Sequence, residues 1–229
     1  FLSGGIDSSI VSINMAKNKN SSFLSHNLKF LETNFDESHY ANKLSEKHNI
    51  QLISHLMPQA KQVALDFNNI VSAMDQPLAD TAFISNYYLS KVSSVKSKVI
   101  LSGDGGDELF GGYETYTADN LKKISNFFPN FLMSFIYRNF ISKLKSNYKK
   151  KISKTYKFKK FFYHQHLSEE HAHILWRSIF DKSEIYEFSV DEIQKYDQNF
   201  YEEISKEYKI VNNANCIDKS IYLDLKTWF

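Results

Sequence analysis

Two short stretches of this chain combine residue types that could do chemistry. They are Ser3-Gly4-Gly5-Ile6-Asp7-Ser8-Ser9 and Ser102-Gly103-Asp104-Gly105-Gly106-Asp107-Glu108. Average glycine usage would put about 16 glycines in a chain of this length, yet there are 7. All lie in or directly after these stretches, at Gly4, Gly5, Gly103, Gly105, Gly106, Gly111 and Gly112. Glycine concentrated in this way marks backbone that takes positive φ or passes close to a ligand. In the first stretch, glycine turns expose backbone N–H groups and the following helix aims its positive end at the same point, which suits a phosphate or pyrophosphate. Ser3, Ser8 and Ser9 can add hydroxyl hydrogen bonds. Asp7 would repel a bare phosphate and makes sense beside a magnesium ion that the phosphates share. No Gly-Lys-Ser/Thr ending follows, so the stretch is not an ordinary P-loop. A capped strand-to-helix turn built from small residues is the bland alternative.

The second stretch sets Asp104, Asp107 and Glu108 within five residues. Their mutual repulsion calls for a cation or a cationic substrate nearby, although Asp107 and Glu108 could also serve simply as helix starters.

The elements around these stretches read as alternating helices and strands. Ile10, Val11, Ile13, Met15 and Ala16 continue the first turn as an amphipathic helix, and residues 23–30 supply a strand. Asp36-Glu37 opens a second helix with Tyr40, Ala41, Leu44 and His48 on one side. Residues 50–56 form a strand, Pro58 starts a third helix over Val63 to Met74, and Asp80-Thr81 caps a fourth from Phe83 to Val92. Val99-Ile100-Leu101 is expected as a buried strand running into the second glycine turn. Such alternation implies an α/β fold with a parallel sheet, whose ligands sit at the carboxyl ends of the strands. Both glycine turns occupy that position.

Composition sets the bounds. With 229 residues and 42% hydrophobic content there is ample material for a core. No run of eighteen or more apolar residues occurs, and the start has no signal-peptide pattern, so no membrane association is expected. The single cysteine, Cys216, excludes an internal disulfide and a multi-thiolate zinc site and fits a reducing, cytoplasmic setting. A net charge of +2 points neither to nucleic acid nor to an anionic surface. The apolar ends, Phe1 and Trp228-Phe229, suggest a piece of a longer protein.

Leu2-Ser3-Gly4-Gly5-Ile6-Asp7-Ser8-Ser9, followed by Leu101-Ser102-Gly103-Asp104-Gly105-Gly106-Asp107-Glu108-Leu109-Phe110-Gly111-Gly112-Tyr113, resembles the asparagine synthetase (glutamine-hydrolysing) family. The first motif alone is shared by ATP pyrophosphatases of the adenine-nucleotide alpha-hydrolase (PP-loop) type, and the second narrows the resemblance. Phe35-Asp36-Glu37-Ser38, Asp75-Gln76-Pro77-Leu78-Ala79-Asp80 and Tyr222-Leu223-Asp224-Leu225-Lys226-Thr227-Trp228 resemble the same family, whereas 121–217 matches weakly. The resemblance implies a doubly wound parallel sheet of PP-loop type in 1–120, with a mostly helical continuation in 121–229.

It also implies a reaction. ATP and Mg2+ serve to adenylate aspartate, and ammonia from a glutaminase domain then displaces AMP. On that reading Ser3, Gly4, Gly5, Ser8 and Ser9 grip pyrophosphate. Leu2, Ser102 and Gly103 lie beside adenine and ribose, and Leu28 matches a family adenine contact, with Lys29 where glycine is common. Asp7 and Asp107 hold magnesium. Asp107 also belongs to the substrate site with Asp104, which matches the acid associated with forming the aspartyl-adenylate. Family members often carry glutamate at that position. The Asp-Gly-Gly form is similar to relatives encoded with surface-polysaccharide genes, so an amidotransferase for a sugar or peptide carboxylate stays open, as does a nucleotide-binding module without synthetic activity. The glutaminase domain and a lysine-containing motif are expected outside residues 1–229. A homodimer is carried as the expected assembly.

From Leu121 to Leu167 lysines and aromatics abound, with no Asp or Glu. Phe127, Phe128, Phe131, Leu132, Phe135 and Ile136 recur as in helices packed on a core, with lysines on a solvated outer face. That spacing outweighs a nucleic-acid reading, and an acidic partner domain is the middle option. His164, His166, His171 and His173 lack a completing ligand pattern and read as surface histidines. Cys216 reads as an ordinary small side chain.

Overall fold

The structure is a computed structural model that describes residues 1–18, 23–76, 78, 80–145, 153–180, 182–188 and 191–227. Pro77, Ala79, Trp228 and Phe229 therefore lie outside the described residues, as do 146–152 of the basic stretch. The fold is mixed α/β and mostly helical, with a small parallel sheet. Its contacts divide it into two compact units, Phe1–Gly105 and Gly106–Phe229.

In the first unit β1 (Leu24–Lys29) and β2 (Gln51–Leu56) pair in parallel, from Leu24 opposite Gln51 to Lys29 opposite Leu56. Helix α2 (Ser38–His48) makes the crossover a parallel pair requires. Its start is held by the Asp36 carboxylate, which accepts from the Ser38 amide, the Ser38 hydroxyl and the Phe30 amide. Its end is closed by Asn49 in the left-handed region at φ 53°. Helices α3 (Ala60–Ser72) and α4 (Ala82–Ser93) follow. The Asp80 carboxylate accepts from the Ala82 amide at 2.8 Å, capping α4 as its sequence position predicts. The Tyr88 hydroxyl of α4 donates to Asp66 of α3 at 2.8 Å and ties the two helices together.

Two expectations for this unit are overturned. Val99–Leu101 is not a buried strand: its backbone is irregular and Val99 is 81% exposed. Among the described residues the triplet makes no ladder, and the Phe1 nitrogen donates to the Leu101 carbonyl at 2.6 Å. Leu2 reaches β1 through one backbone bond, its amide to the His26 carbonyl at 2.9 Å, and forms no ladder with it among the described residues. Among the described residues the sheet is therefore two-stranded, and a doubly wound sheet is not seen.

The second correction concerns α1 (Ile6–Lys17). It does not bury an aliphatic stripe: Ile6 and Ile10 are exposed, while Ser8, Ser9 and Ser12 are the buried residues. The reason is steric. A Cβ placed on Gly103 would lie 2.6 Å from the Ser8 amide nitrogen, so the backbone of the second glycine stretch rests directly on the first turn of α1. Only small side chains fit a contact that close.

Every regular element among the described residues of the second unit is a helix. The unit runs through α5 (Gly106–Phe110), α6 (Glu114–Ser125), α7 (Asn130–Ile136) and a π-helical turn over Tyr137–Ile141. Then come α8 (Lys154–Tyr163), α9 (Glu169–Arg177), α10 (Lys182–Phe188), α11 (Asp191–Ile210) and α12 (Cys216–Thr227). The division after Gly105 falls inside the second glycine stretch, and α6 continues through residue 120. Its apolar centre joins Ile174 of α9, Ile204 of α11 and Leu223 of α12, with Tyr208 packed against them. Cys216 is half-buried at the start of α12 and its thiol donates to Asn120.

The aromatic run does not pack as its spacing suggests. Phe127 is 87% exposed, and Phe128, Phe131 and Phe135 are exposed as well. The lysine expected on the outside, Lys122, is 1% exposed and donates from Nζ to the Gln165 carbonyl at 2.7 Å. Phe127 and Phe128 fall in the turn before α7, and α7 buries none of its residues, while α6 before it buries Tyr116, Asp119, Lys122 and Ser125, a mostly polar set.

The histidines are corrected too. His166 is exposed and His171 half-buried, but His164 is buried and His173 has no exposed surface. His173 stands between two carboxylates: Nδ1 lies 2.8 Å from Asp119 and Nε2 lies 3.0 Å from Asp224. Asp224, itself fully buried, also accepts from the Tyr116 hydroxyl at 2.6 Å and from Arg177 at 2.5 Å. Burial by itself would lower the His173 pKa, but the two carboxylates outweigh it and push the value up to about 9.

A histidine raised above its unfolded value of 6.5 contributes stability that is fully present below pH 6.5 and is lost as pH rises through about 9. Urea denaturation across that window should show stability declining with pH by up to about 3 kcal/mol. The His173→Gln variant should be less stable than the wild type at pH 6 and should show a flattened pH slope.

Candidate functional site

The first glycine turn is closed by its own hydroxyls. The Ser3 amide donates to Ser8 Oγ at 3.2 Å, the Ser3 and Ser8 hydroxyls lie 2.9 Å apart, and the Gly5 amide donates to Ser3 Oγ at 3.2 Å. Ser8 Oγ in turn donates to the Gly5 carbonyl at 3.2 Å, and the first helical bond runs from the Ser9 amide to that same carbonyl. Gly4 adopts φ 93°, and a Cβ there would stand 2.6 Å from Tyr40 Cβ and 2.8 Å from the Ala41 amide nitrogen. This glycine is required twice, by its dihedral and by the backbone of α2 beside it. Gly5, by contrast, would bring a Cβ only to 3.4 Å from the Ser3 hydroxyl.

Sequence reading missed the residue that fixes the strand to this turn. Asn27 of β1 is buried, and its Nδ2 donates to the Leu2 carbonyl at 3.1 Å. One strand neighbour, His26, sits side by side with His55 of β2, Nδ1 to Nε2 at 2.9 Å. Burial lowers the pKa of both rings, and the proximity of His55 lowers that of His26 further. A polar residue buried in a strand needs a partner, but its burial is set by the fold and is not written in the local sequence.

Beside the turn lies a cavity lined by Leu2, Ser3, Leu28, Phe35, Asn86 and Leu89, among others. The first unit thus brings Leu2, Ser3 and Leu28 around one space. It also seats Gly103 against Asp7 and Ser8, with a Gly103 Cβ 3.0 Å from Asp7 Cβ. Asp7 falls in the first turn of α1, where the helix dipole favours a carboxylate. Ser8 and Ser9 are buried and Ser3 is exposed. Asp104 is exposed, and its amide faces Ser102 Oγ at 3.4 Å. Gly105 follows at φ 84°.

In the second unit the remaining two acids of that stretch have different surroundings. Glu108 is buried and accepts a hydrogen bond from the Tyr113 hydroxyl at 2.6 Å, so it is a structural acid. Asp107 is half-buried at the start of α5 and its carboxylate occupies the space above Gly112: a Cβ on Gly112 would fall 1.9 Å from Asp107 Oδ1. The Gly112 amide donates to the Asp107 carbonyl at 2.9 Å. Glycine at 112 is therefore the condition for the Asp107 side chain to lie where it does. Among the described residues no cluster of three or more His, Cys, Asp or Glu has metal-binding geometry, and no helix is long and apolar enough to cross a membrane.

Comparison with known proteins agrees with the motifs. The family profile described as asparagine synthase matches residues 1–229. The Bacillus subtilis protein named asparagine synthetase [glutamine-hydrolyzing] 1 is 37% identical over 116 residues, which is 51% of this chain and 18% of that protein. A provisionally named glutamine-hydrolysing asparagine synthetase of Mycobacterium tuberculosis is 34% identical over the same length and shares. One from Methanocaldococcus jannaschii is 31% identical over 135 residues, 56% of this chain and 25% of that protein. The chain thus aligns with a quarter or less of the length of these relatives, and no solved structure matches it. With the profile spanning both glycine motifs and the helices after them, the chain belongs to the asparagine synthase family.

Proposed function

We propose that this chain is part of an ATP-dependent synthetase that converts aspartate to asparagine through an aspartyl-adenylate. The observation that supports it most is the seating of Gly103 on the first turn of α1, next to a cavity bounded by Leu2, Ser3 and Leu28. A helix start, two glycine backbones and an adjoining partly apolar space form the arrangement that a nucleotide needs. On this reading Leu2, Leu28, Ser102 and Gly103 take adenine and ribose, and Ser3, Gly4 and Gly5 meet the pyrophosphate. The buried Ser8 and Ser9 hold the turn in shape.

An aspartate carboxylate oxygen attacks the α-phosphorus, the bond to the bridging oxygen breaks, and pyrophosphate leaves. Ammonia, supplied by glutamine hydrolysis in a glutaminase domain, then attacks the acyl carbon, loses a proton and displaces AMP. Asp104 acts where the aspartyl-adenylate forms, and its carboxylate can then orient the incoming amine or take its proton. Asp7 and Asp107 offer hard carboxylate oxygens, the donor type that Mg2+ takes, and the space above Gly112 gives the Asp107 carboxylate its place. Mg2+ held by either carboxylate would neutralise charge on the leaving pyrophosphate. A second reading rests on the Asp104-Gly105-Gly106 sequence: a carboxyl shorter by one methylene than the usual glutamate leaves room for a bulkier acceptor, such as a sugar or peptide carboxylate.

The deciding experiment measures pyrophosphate release by the full-length protein with ATP, Mg2+ and ammonium, with and without aspartate. Aspartate-dependent release is expected, and Asp104→Ala should reduce it by about a hundredfold or more. ATP binding without aspartate-dependent release would sink asparagine synthesis and direct the search to other carboxylates.

The two glycines on either side of the turn should also part company. Gly103→Ala should destabilise the protein by about 2 kcal/mol and weaken ATP binding at least tenfold. Gly5→Ala should change stability by less than about 1 kcal/mol, as read by thermal unfolding and calorimetric titration with ATP.

A further inference from the structure

Helix α5 has five residues, too few to be stable by itself, yet it carries Asp107. A chain of contacts within the second unit holds it. Glu108, the next residue on the helix, accepts from the Tyr113 hydroxyl at 2.6 Å. The Tyr113 ring lies under the Arg177 guanidinium, whose carbon stands 4.1 Å from the ring centre. Arg177 donates to Asp224 at 2.5 Å, and Asp224 is locked by Tyr116 and His173. His173 passes the connection to Asp119 on α6. Gly111, at φ 69°, brings the end of α5 to within 3.8 Å, measured from a Cβ built there, of Ile217 and Ile221 on α12. Every link from Glu108 to Asp119 is a hydrogen bond, an ion pair or a cation–π contact, and Asp119, His173 and Asp224 are deeply buried.

We infer that Tyr113 and Arg177 are positioning residues: by holding Glu108 against the buried Asp224 centre, they fix the orientation in which Asp107 presents its carboxylate to the metal. This rests on the reading of Asp107 as a metal acid given above. Tyr113 is well suited to the task because one residue joins both halves, its hydroxyl to α5 and its ring to α9. Burial, followed by the bond to Glu108, raises its pKa, so the hydroxyl stays a donor throughout the physiological range.

Tyr113→Phe removes the hydroxyl and keeps the ring. Tyr208→Phe is the control, since it deletes a tyrosine–carboxylate bond of similar kind, to Glu169 at 3.0 Å, in the same unit and outside the chain of contacts to α5. The full-length protein with ATP is titrated with Mn2+ by electron paramagnetic resonance, and the Mg2+ requirement for pyrophosphate release is measured alongside. Tyr113→Phe should weaken Mn2+ binding about tenfold and raise the half-saturating Mg2+ to match, with Arg177→Lys showing the same direction. Tyr208→Phe should leave both within about twofold while losing comparable thermal stability. Equal effects from Tyr113→Phe and Tyr208→Phe, or unchanged Mn2+ affinity in Tyr113→Phe when Asp107→Asn loses it, would overturn the positioning role alone. Unchanged affinity in Asp107→Asn itself would overturn the metal assignment and the inference with it.

Discussion

A carboxylate with no exposed surface must be met by donors from several directions, and Asp224 imposes that requirement on the second unit. An unpaired buried charge costs several kcal/mol, so the elements that carry its partners have little freedom. Tyr116 comes from α6, His173 and Arg177 from α9, and Asp224 itself from α12. The three helices are joined at this point by polar contacts while the apolar centre of Ile174, Ile204 and Leu223 packs nearby. Such a centre is a poor source of net stability compared with hydrocarbon of the same volume, but it discriminates strongly between registers. Sliding α12 by one turn would strand Asp224, His173 and Arg177 together, whereas a purely aliphatic contact would only repack.

The first unit solves a different problem, the close approach of backbones. Gly4 lies against α2 and Gly103 against α1, each at a distance that leaves no space for a Cβ. The helix that receives Gly103 buries Ser8, Ser9 and Ser12 and leaves Ile6 and Ile10 exposed. Asn27 completes the arrangement by binding the Leu2 carbonyl from β1, so the start of the turn is held from the strand side as well. Here position is set by the absence of side chains, and in the second unit by the demands of a few polar ones.

This difference governs what could be read from the residues. The glycine turns were legible because glycine is scarce elsewhere, and so were the capped helices at Asp36 and Asp80, where short side chains do local work within two residues. The first two strands and the family were legible for the same reason, as local patterns. Asn27, Lys122 and His173 were not, since each finds its partner 25, 43 or more residues away, and spacing along the chain carries no trace of such a bond. The α1 face was misread because a hydrophobicity pattern assumes that burial selects large apolar groups, and at a backbone contact burial selects small ones. The aromatic run from Phe127 to Phe135 shows the converse: periodicity identified a helix without identifying which face would be covered.

The two kinds of constraint meet within a few residues of each other along the chain. Gly103 belongs to the regime of close backbones, and Glu108 belongs to the regime of buried polar contacts. Asp104 lies in the first and Asp107 at the entrance to the second, so two acids three positions apart are held by unrelated means. Exposure and loop geometry leave the Asp104 carboxylate adaptable. Asp107, by contrast, has its carboxylate in the space above Gly112 and is followed on α5 by Glu108, which Tyr113 holds. Substitution at Asp104 therefore leaves the second unit its structure, because the contacts that tie α5 to α9 and α12 run through Glu108, Tyr113 and Arg177 and do not pass through that residue.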